Sequence, residues 1–256
     1  MRILLSNDDG YTAEGLLVLA EALADDGHEV HVSAPVSERS GAGHGLTFGR
    51  KLAFRDVPCG EIDFPHGRRE NGMIFRAVWG SPADCVKFAL EHLYKGEKFD
   101  LVISGINSVP NVGSDIIYSG TFGAAEEGTI LGVPSIAVSA AAHKGGYGFA
   151  ADFVRRNLAA LRSAITPLVT LNVNVPPRGE IKGVAAVPLG IRRYNDWYEP
   201  HEDAFRLTGY PYDCSSHEET TDCKMYDCGY ITVTPVKIPD TDEGCIKVLG
   251  REKWTL

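Results

Sequence analysis

The stretch RILLSNDDGYTAEGLLVLAEALADDGHEVHVSA, Arg2 to Ala34, decides the fold. Arg2 to Leu5 is a short apolar run, and Leu16, Leu19, Ala20 and Leu23 then recur at the spacing of one helical face. Thr12 is the expected N-cap of that helix and Gly27 its stop. Beyond Gly27, the apolar Val30, Val32 and Ala34 alternate with His31 and Ser33, a strand pattern. A chain opening on strand, helix, strand favours a parallel sheet, because parallel neighbours need a crossover and the helix supplies it.

The same rhythm runs outward from that unit. A helix is expected from about Pro82 to Tyr94, a strand over Asp100 to Ile103, and then a long polar, Gly-rich loop. A helix from about Thr121 to Leu131 stops at Gly132-Val133-Pro134. A strand around Ser135 to Val138, a helix over Ala150 to Ile165 and a strand over Val169 to Val173 complete the alternation. This pattern predicts an α/β fold with an open, doubly wound, mostly parallel sheet between helices. Lys51 to Val78 and Ile191 to Tyr230 lose the helical rhythm and read as strands and loops. The second stretch is too long for a plain connection and is expected to form a protruding β-hairpin arm, with Ile231 to Pro235 returning to the sheet. The expected organisation is a single domain over 1–256, with a core of about 1–190 and 229–240, an arm of about 191–228 and a C-terminal segment of about 241–256.

The chain has 256 residues, 44% apolar and 23% charged, an ordinary globular composition. Its 25 Lys and Arg against 34 Asp and Glu give a net charge of −9, which repels polyanions and argues against duplex nucleic acid as a partner. A small phosphate remains accessible where a metal ion or a helix terminus reverses the field locally. The longest weakly polar run, Gly132 to Ala142, is broken by Pro134, Ser135 and Ser139 and falls short of the ~18 apolar residues of a membrane span. Met1 to Leu5 meets Asp8-Asp9 before a signal-peptide core develops, so a cytoplasmic protein without membrane contact is expected. The six cysteines, Cys59, Cys85, Cys214, Cys223, Cys228 and Cys245, form no CxxC and read as free thiols; a zinc site among the last four is disfavoured by their irregular gaps.

Ligands of open α/β sheets bind beyond the carboxyl ends of the strands. Three loops are therefore expected on one rim: Ser6 to Gly10, Pro35 to Gly41, and Ser104 to Asp115. The adjacent carboxylates of Asp8 and Asp9 repel each other, and a cation relieves that repulsion. With Ser40 and Asn107 they offer only oxygen donors, which suits a hard divalent metal. The alternative is that Asp8-Asp9 merely cap the first helix. Tyr118-Ser119-Gly120-Thr121 brings hydroxyls, a flexible Gly and free N–H groups to a helix start, in outline an anion site and equally a plain Ser/Thr cap. Arg39 is suited to a phosphate or to pairing with Glu38 or Asp115, and His44 is either a proton donor or a solvated loop residue. Arg192, Arg193, Tyr194 and Trp197 fit a base, a phosphate or a subunit contact.

Other chemistries lack their motifs. GxxxxGKS/T and GxSxG are absent, and His201-Glu202 and His217-Glu218 lack the second His of HExxH. His28 and His31 point to opposite faces of a strand entrance and read as surface residues. Gly41 to Gly45 has the wrong glycine spacing for a dinucleotide cradle, and Gly146 to Ala151 stands about eight residues past its expected strand.

Taken in order, Ser6-Asn-Asp-Asp-Gly10, Ala34-Pro-Val-Ser-Glu-Arg-Ser-Gly41, Gly80-Ser-Pro-Ala-Asp-Cys85 and Ser104-Gly-Ile-Asn107 through Ser119-Gly-Thr121 resemble the SurE (survival protein E) family of 5′-nucleotidases. The resemblance continues through Leu171-Asn-Val-Asn-Val-Pro176 and Gly229-Tyr-Ile-Thr-Val-Thr-Pro235. It implies a Rossmann-like core with a protruding hairpin and a C-terminal segment used in oligomer contacts, in a homodimer or homotetramer. It also implies a metal-dependent phosphatase acting on nucleoside monophosphates. Carried over by motif, Asp8, Asp9, Ser40 and Asn107 hold the metal, and Asn111, Ser119, Gly120 and Thr121 surround the phosphate. The expected cofactor is one divalent ion per subunit, Mg²⁺ or Mn²⁺, with Asp8 or Asp9 acting in catalysis. Two positions depart from the family pattern: Val36 stands where Asp is usual, and Val109 where Gly is usual, adding bulk in the presumed metal loop. A nucleotide-binding module without hydrolysis is the competing reading.

Overall fold

The computed structural model describes residues 1–67, 73–141, 145–177, 181–213 and 220–237. In chain order the elements are β1 (Arg2–Ser6), α1 (Glu14–Asp25), β2 (Glu29–Pro35), β3 (Phe54–Val57), β4 (Met73–Val78), α2 (Pro82–Phe88), β5 (Leu101–Asn107), α3 (Gly120–Ile130), β6 (Ser135–Ala140), α4 (Gly146–Ala164), β7 (Val169–Val175), β8 (Gly183–Ala186), β9 (Arg193–His201), β10 (Ala204–Asp213), α5 (Asp222–Asp227) and β11 (Tyr230–Lys237). Nine strands form one sheet in the order β3-β4-β2-β1-β5-β6-β7-β11-β8. From β4 to β7 every neighbour is parallel; β3 joins β4 and β11 joins β7 antiparallel, and β8 runs parallel to β11.

The alternation within β1 explains the layers. Ile3 and Leu5 share a core with Leu16 and Leu19 of α1 and Val154 and Leu158 of α4. Leu4, on the other face, packs with Val102, Val86 of α2 and Ala124 of α3. A strand covered on both faces must be apolar throughout, as the buried run Leu101 to Ile103 is. Strand order reverses at the β1/β5 boundary, and a ligand crevice belongs at such a switch point.

Several expectations shift. The cap of α1 is Ala13, whose side chain makes no cap bond. The entry is organised upstream instead: Asn7 Nδ2 donates to the Gly10 carbonyl, and the Gly10 N–H returns to Asn7 Oδ1. Thr12 is therefore not needed as a cap. The expected helix from Pro82 is α-helical only to Phe88 and continues as a π-helical turn over Ala89–Leu93; its start carries a Ser81–Asp84 capping box with Pro82 in the first turn. β6 runs on to Ala140 and α4 begins at Gly146, so Gly146 to Ala151 opens a helix close behind its strand. His31 is not a surface residue. β2 is an interior strand, so His31 is buried, with Nε2 2.7 Å from Glu29 Oε1 and its ring edge-on to Tyr94 and Phe99. Burial lowers its pKa and favours the neutral ring.

The arm is a two-stranded antiparallel sheet, β9 against β10, separate from the main sheet. It exposes Tyr198, Phe205, Leu207 and Tyr212. The expected C-terminal segment of about 241–256 lies outside the described residues, as do Cys214, His217-Glu218 and Cys245. Among the described residues no helix is long and apolar enough to cross a membrane.

Candidate active site

The carboxyl ends of β1, β2 and β5 open into one cleft of about 1090 Å³, lined by Asp8, Asp9, Glu38, Ser40, Asn107, Asn111 and Ser119 among others. All four expected metal ligands lie on its wall, brought together from three separate strand ends. The Arg39 N–H donates to the Asp8 carbonyl at 2.7 Å, which ties the loop after β2 to the loop after β1.

Asp8 is buried, and its Oδ1 accepts from the Thr121 hydroxyl at 2.5 Å. Burial raises the Asp8 pKa, against the hydrogen bonds from Thr121. Asp9 carries the larger consequence of crowding. Desolvation, then the Asp8 charge, then Glu38, push its pKa up to about 6. Neither carboxylate has a Lys, Arg or His partner within ion-pair distance among the described residues. Two negative groups without a countercharge, at the foot of a cleft, form a cation site in outline.

The neutral donors are arranged differently. Asn107 is buried at the end of β5, and its Nδ2 donates to the Val109 carbonyl at 2.8 Å, fixing which amide atom is left for the cleft. Val109 itself is exposed on the cleft wall. Ser40 is exposed, and its hydroxyl donates to Glu38 Oε1 at 2.6 Å. Glu38 is thus a third carboxylate on the wall, where the sequence suggests only a partner for Arg39. Its place directly before Arg39-Ser40 is the one signal that could have found it.

Of the expected phosphate residues, Asn111 and Ser119 line the cleft, whereas Gly120 and Thr121 lie behind it. Ser119 is the N-cap of α3, accepting from the Phe122 N–H at 3.0 Å. Thr121 is fully buried and spends its hydroxyl on Asp8. A Cβ at Gly120 would stand 2.8 Å from Asp8 Cβ, so only glycine lets the helix start come this close to Asp8. The α3 terminus therefore presents backbone N–H groups at its positive end. Asn111 is held by partners that the sequence marks only as a strand motif. Its N–H donates to Asn174 Oδ1 at 2.7 Å, its carbonyl accepts from Nδ2 of Asn172 and of Asn174, and its own Nδ2 donates to Ser139.

His44 is partly buried, paired on both sides, and does not line the cleft. Its two ring nitrogens lie 2.6 Å from Glu126 Oε2 and 2.7 Å from Glu127 Oε2, and hydrogen bonds to these carboxylates push its pKa up to about 9. Burial alone would raise Glu127, but His44 and Lys87 outweigh it and hold that carboxyl below its ordinary value. The imidazolium clamps the loop that carries Glu38 and Ser40 onto α3. Arg39 pairs with neither Glu38 nor Asp115; Asp115 is taken by Arg192 Nη1 at 3.3 Å and the Tyr194 hydroxyl at 2.7 Å. Burial raises the Asp115 pKa, against these two partners.

The donor set fits a hard divalent ion by its chemistry. Among the described residues there is no cluster of three or more His, Cys, Asp or Glu suited to a metal. The cleft offers two uncompensated carboxylates with hydroxyl and amide oxygens, a set for a cation that keeps other oxygen ligands.

The chain is similar to known proteins along nearly its whole length. The family model for survival protein SurE matches residues 3–196. A protein of Desulforudis audaxviator named 5′-nucleotidase SurE is 41% identical, covering 99% of this chain and 97% of its own. One of the same name from Gloeobacter violaceus is 42% identical, covering 99% and 96%. The crystal structure of the SurE protein from Aquifex aeolicus superposes with a TM-score of 0.78 at 34% identity, covering 98% of this chain and all of that one. With the β1/β5 crevice, the hairpin arm and this similarity along nearly its whole length, the chain belongs to the SurE family.

Proposed function

We propose that this protein is a 5′-nucleotidase that hydrolyses nucleoside 5′-monophosphates to nucleoside and phosphate, with one divalent ion, Mg²⁺ or Mn²⁺, held by Asp8, Asp9, Ser40 and Asn107. The observation that carries the reading is the Asp8–Asp9 pair, uncompensated at the foot of the cleft and set against the N-terminus of α3. The names of the relatives supply the substrate class.

A bound divalent ion supplies positive charge for the phosphate oxygens and acidifies water. The chain does the rest. Thr121 fixes the rotamer of Asp8, and the Gly120 approach lets the α3 dipole face the same space. Ser119 and Asn111 line the cleft, and with the Gly120 and Thr121 helix start they would surround the phosphate. Water attacks phosphorus and its proton passes to the Asp8–Asp9 pair; the bond from phosphorus to the ester oxygen breaks, and the pair returns that proton to the departing oxygen, which leaves as the nucleoside hydroxyl. The cleft of about 1090 Å³, whose lining includes Tyr118, Arg192 and Tyr194, leaves room for the nucleoside, and we extend the proposal to 3′-monophosphates and polyphosphate as further substrates. The exposed apolar hairpin supports assembly as a homodimer or homotetramer, and we extend the proposal to a single-domain enzyme of the cytoplasm.

The test is phosphate release from a panel of nucleoside 5′- and 3′-monophosphates and polyphosphate, with Mg²⁺ or Mn²⁺ and with EDTA, for the wild type and Asp8→Asn. Metal-dependent release, lost with EDTA and reduced on the order of a hundredfold or more in the variant, is expected. Binding of the nucleotide without release would select the non-hydrolytic module instead.

A further inference from the structure

Asp222 is fully buried, yet no Lys, Arg or His lies within ion-pair distance of its carboxylate among the described residues. Three backbone amides satisfy it instead. Oδ2 accepts from the Gly113 N–H at 2.8 Å; Oδ1 accepts from the Gly190 N–H at 2.7 Å and from the Cys223 N–H at 2.8 Å. A buried carboxylate is costly to desolvate and is tolerated where its hydrogen bonds are complete. What distinguishes this one is which segments it joins.

Gly113 lies on the loop from Asn107 to Ser119, which also carries Asn111, Ser114 and Asp115 along the cleft wall. Gly190 lies just before β9, at the root of the hairpin. The contact admits no side chain at Gly113: its φ is +58°, and a Cβ would come 2.6 Å from Cys223 Sγ. Two neighbouring links repeat the connection. The Ser114 hydroxyl donates to the Arg192 carbonyl at 2.7 Å and accepts from the Arg192 N–H at 3.1 Å, and Asp115 accepts from Arg192 and Tyr194. Asp222 is itself anchored by its N–H to the Pro188 carbonyl at 3.0 Å.

We propose that Asp222 is a positioning residue for the cleft, its carboxylate fastening the Gly113 loop to the hairpin root so that the arm and the substrate wall move as one body. The arm thereby sets the geometry around the phosphate without touching the reacting atoms. This inference rests on the hydrolytic reading above.

Asp222→Asn tests it selectively. The amide oxygen can keep the Gly190 and Cys223 bonds, while its NH₂ meets the Gly113 N–H donor to donor and breaks that link. Expected are faster hydrogen exchange in both 107–119 and 190–213, a KM for a nucleoside 5′-monophosphate raised on the order of tenfold, kcat within about twofold, and Mg²⁺ half-saturation unchanged within about twofold. Exchange that rises only around 220–228 with KM unchanged, or a fall in kcat alone, would overturn the proposal. Should Asp222→Asn not fold, Ser114→Ala, which cuts the adjacent link and leaves the carboxylate, decides the matter: a joint rise in exchange with a raised KM supports the coupling, and a rise confined to one segment refutes it. A wild type that releases no phosphate would instead remove the hydrolytic reading, while the exchange arm still reports on the coupling.

Discussion

The clamp at His44 makes the stability of this protein depend on pH in a defined way. The folded chain raises this imidazole from 6.5 to about 9 by placing it between Glu126 and Glu127. At about 1.4 kcal/mol per tenfold, that rise corresponds to at most about 3 kcal/mol of stability carried by the protonated ring. The contribution is full below the unfolded value of 6.5, shrinks between 6.5 and about 9, and is nearly gone above that, because the ring is then neutral in the folded and the unfolded chain alike. His44→Gln, which cannot carry the charge, removes it at every pH. Urea denaturation of both proteins between pH 6 and pH 10 should give a stability difference of about 2 to 3 kcal/mol at the acid end, closing towards zero at the alkaline end. The loop that the clamp holds carries Glu38 and Ser40, so the Mg²⁺ half-saturation of the variant should also rise at neutral pH. A difference in stability that stays flat across this range would refute the ion-pair account and leave His44 as mere packing.

Two further outcomes follow from the cleft. Thr121→Val keeps the buried shape but removes the donor to Asp8, and kcat/KM should fall on the order of tenfold; steady-state kinetics showing no loss would mean that Asp8 is held without it. Asn107→Ala should raise the metal half-saturation by roughly ten- to a hundredfold, with excess metal restoring much of the rate. Failure to recover at any metal concentration would count against a ligand role.

Much of this protein is legible in the chain because two kinds of information are local. The apolar periods of Leu16 to Leu23 and of Val30 to Ala34 fix helix and strand wherever they fold, and the donor chemistry of Asp8, Asp9, Ser40 and Asn107 is a property of the residues themselves. The strand-end rule then places these residues on one rim, and the folded chain does the same. Element ends are less legible. Thr12 loses its cap role to the Asn7 turn, and α4 begins before its apolar rhythm does, because caps depend on local hydrogen bonding and not on periodicity.

What sequence could not determine is set by contacts between distant segments. His31 reads as a surface residue until β2 is known to be an interior strand, and His44 reads as a loop residue until α3 brings two carboxylates to it. Thr121 and Gly120 read in the sequence only as part of a phosphate cradle, and the packing of α3 against β1 gives them a second role, one as a prop for Asp8 and the other as the space that admits it. Asp222 carries no local signal for this role, since two of its three partners, Gly113 and Gly190, reach it only once the chain has folded, and only Cys223 is its neighbour in sequence. Periodicity and donor type are properties of neighbouring residues and survive in the unfolded chain; electrostatic partners and hydrogen bonds across more than a hundred residues, as between Asp8 and Thr121, exist only once the sheet has closed the distance.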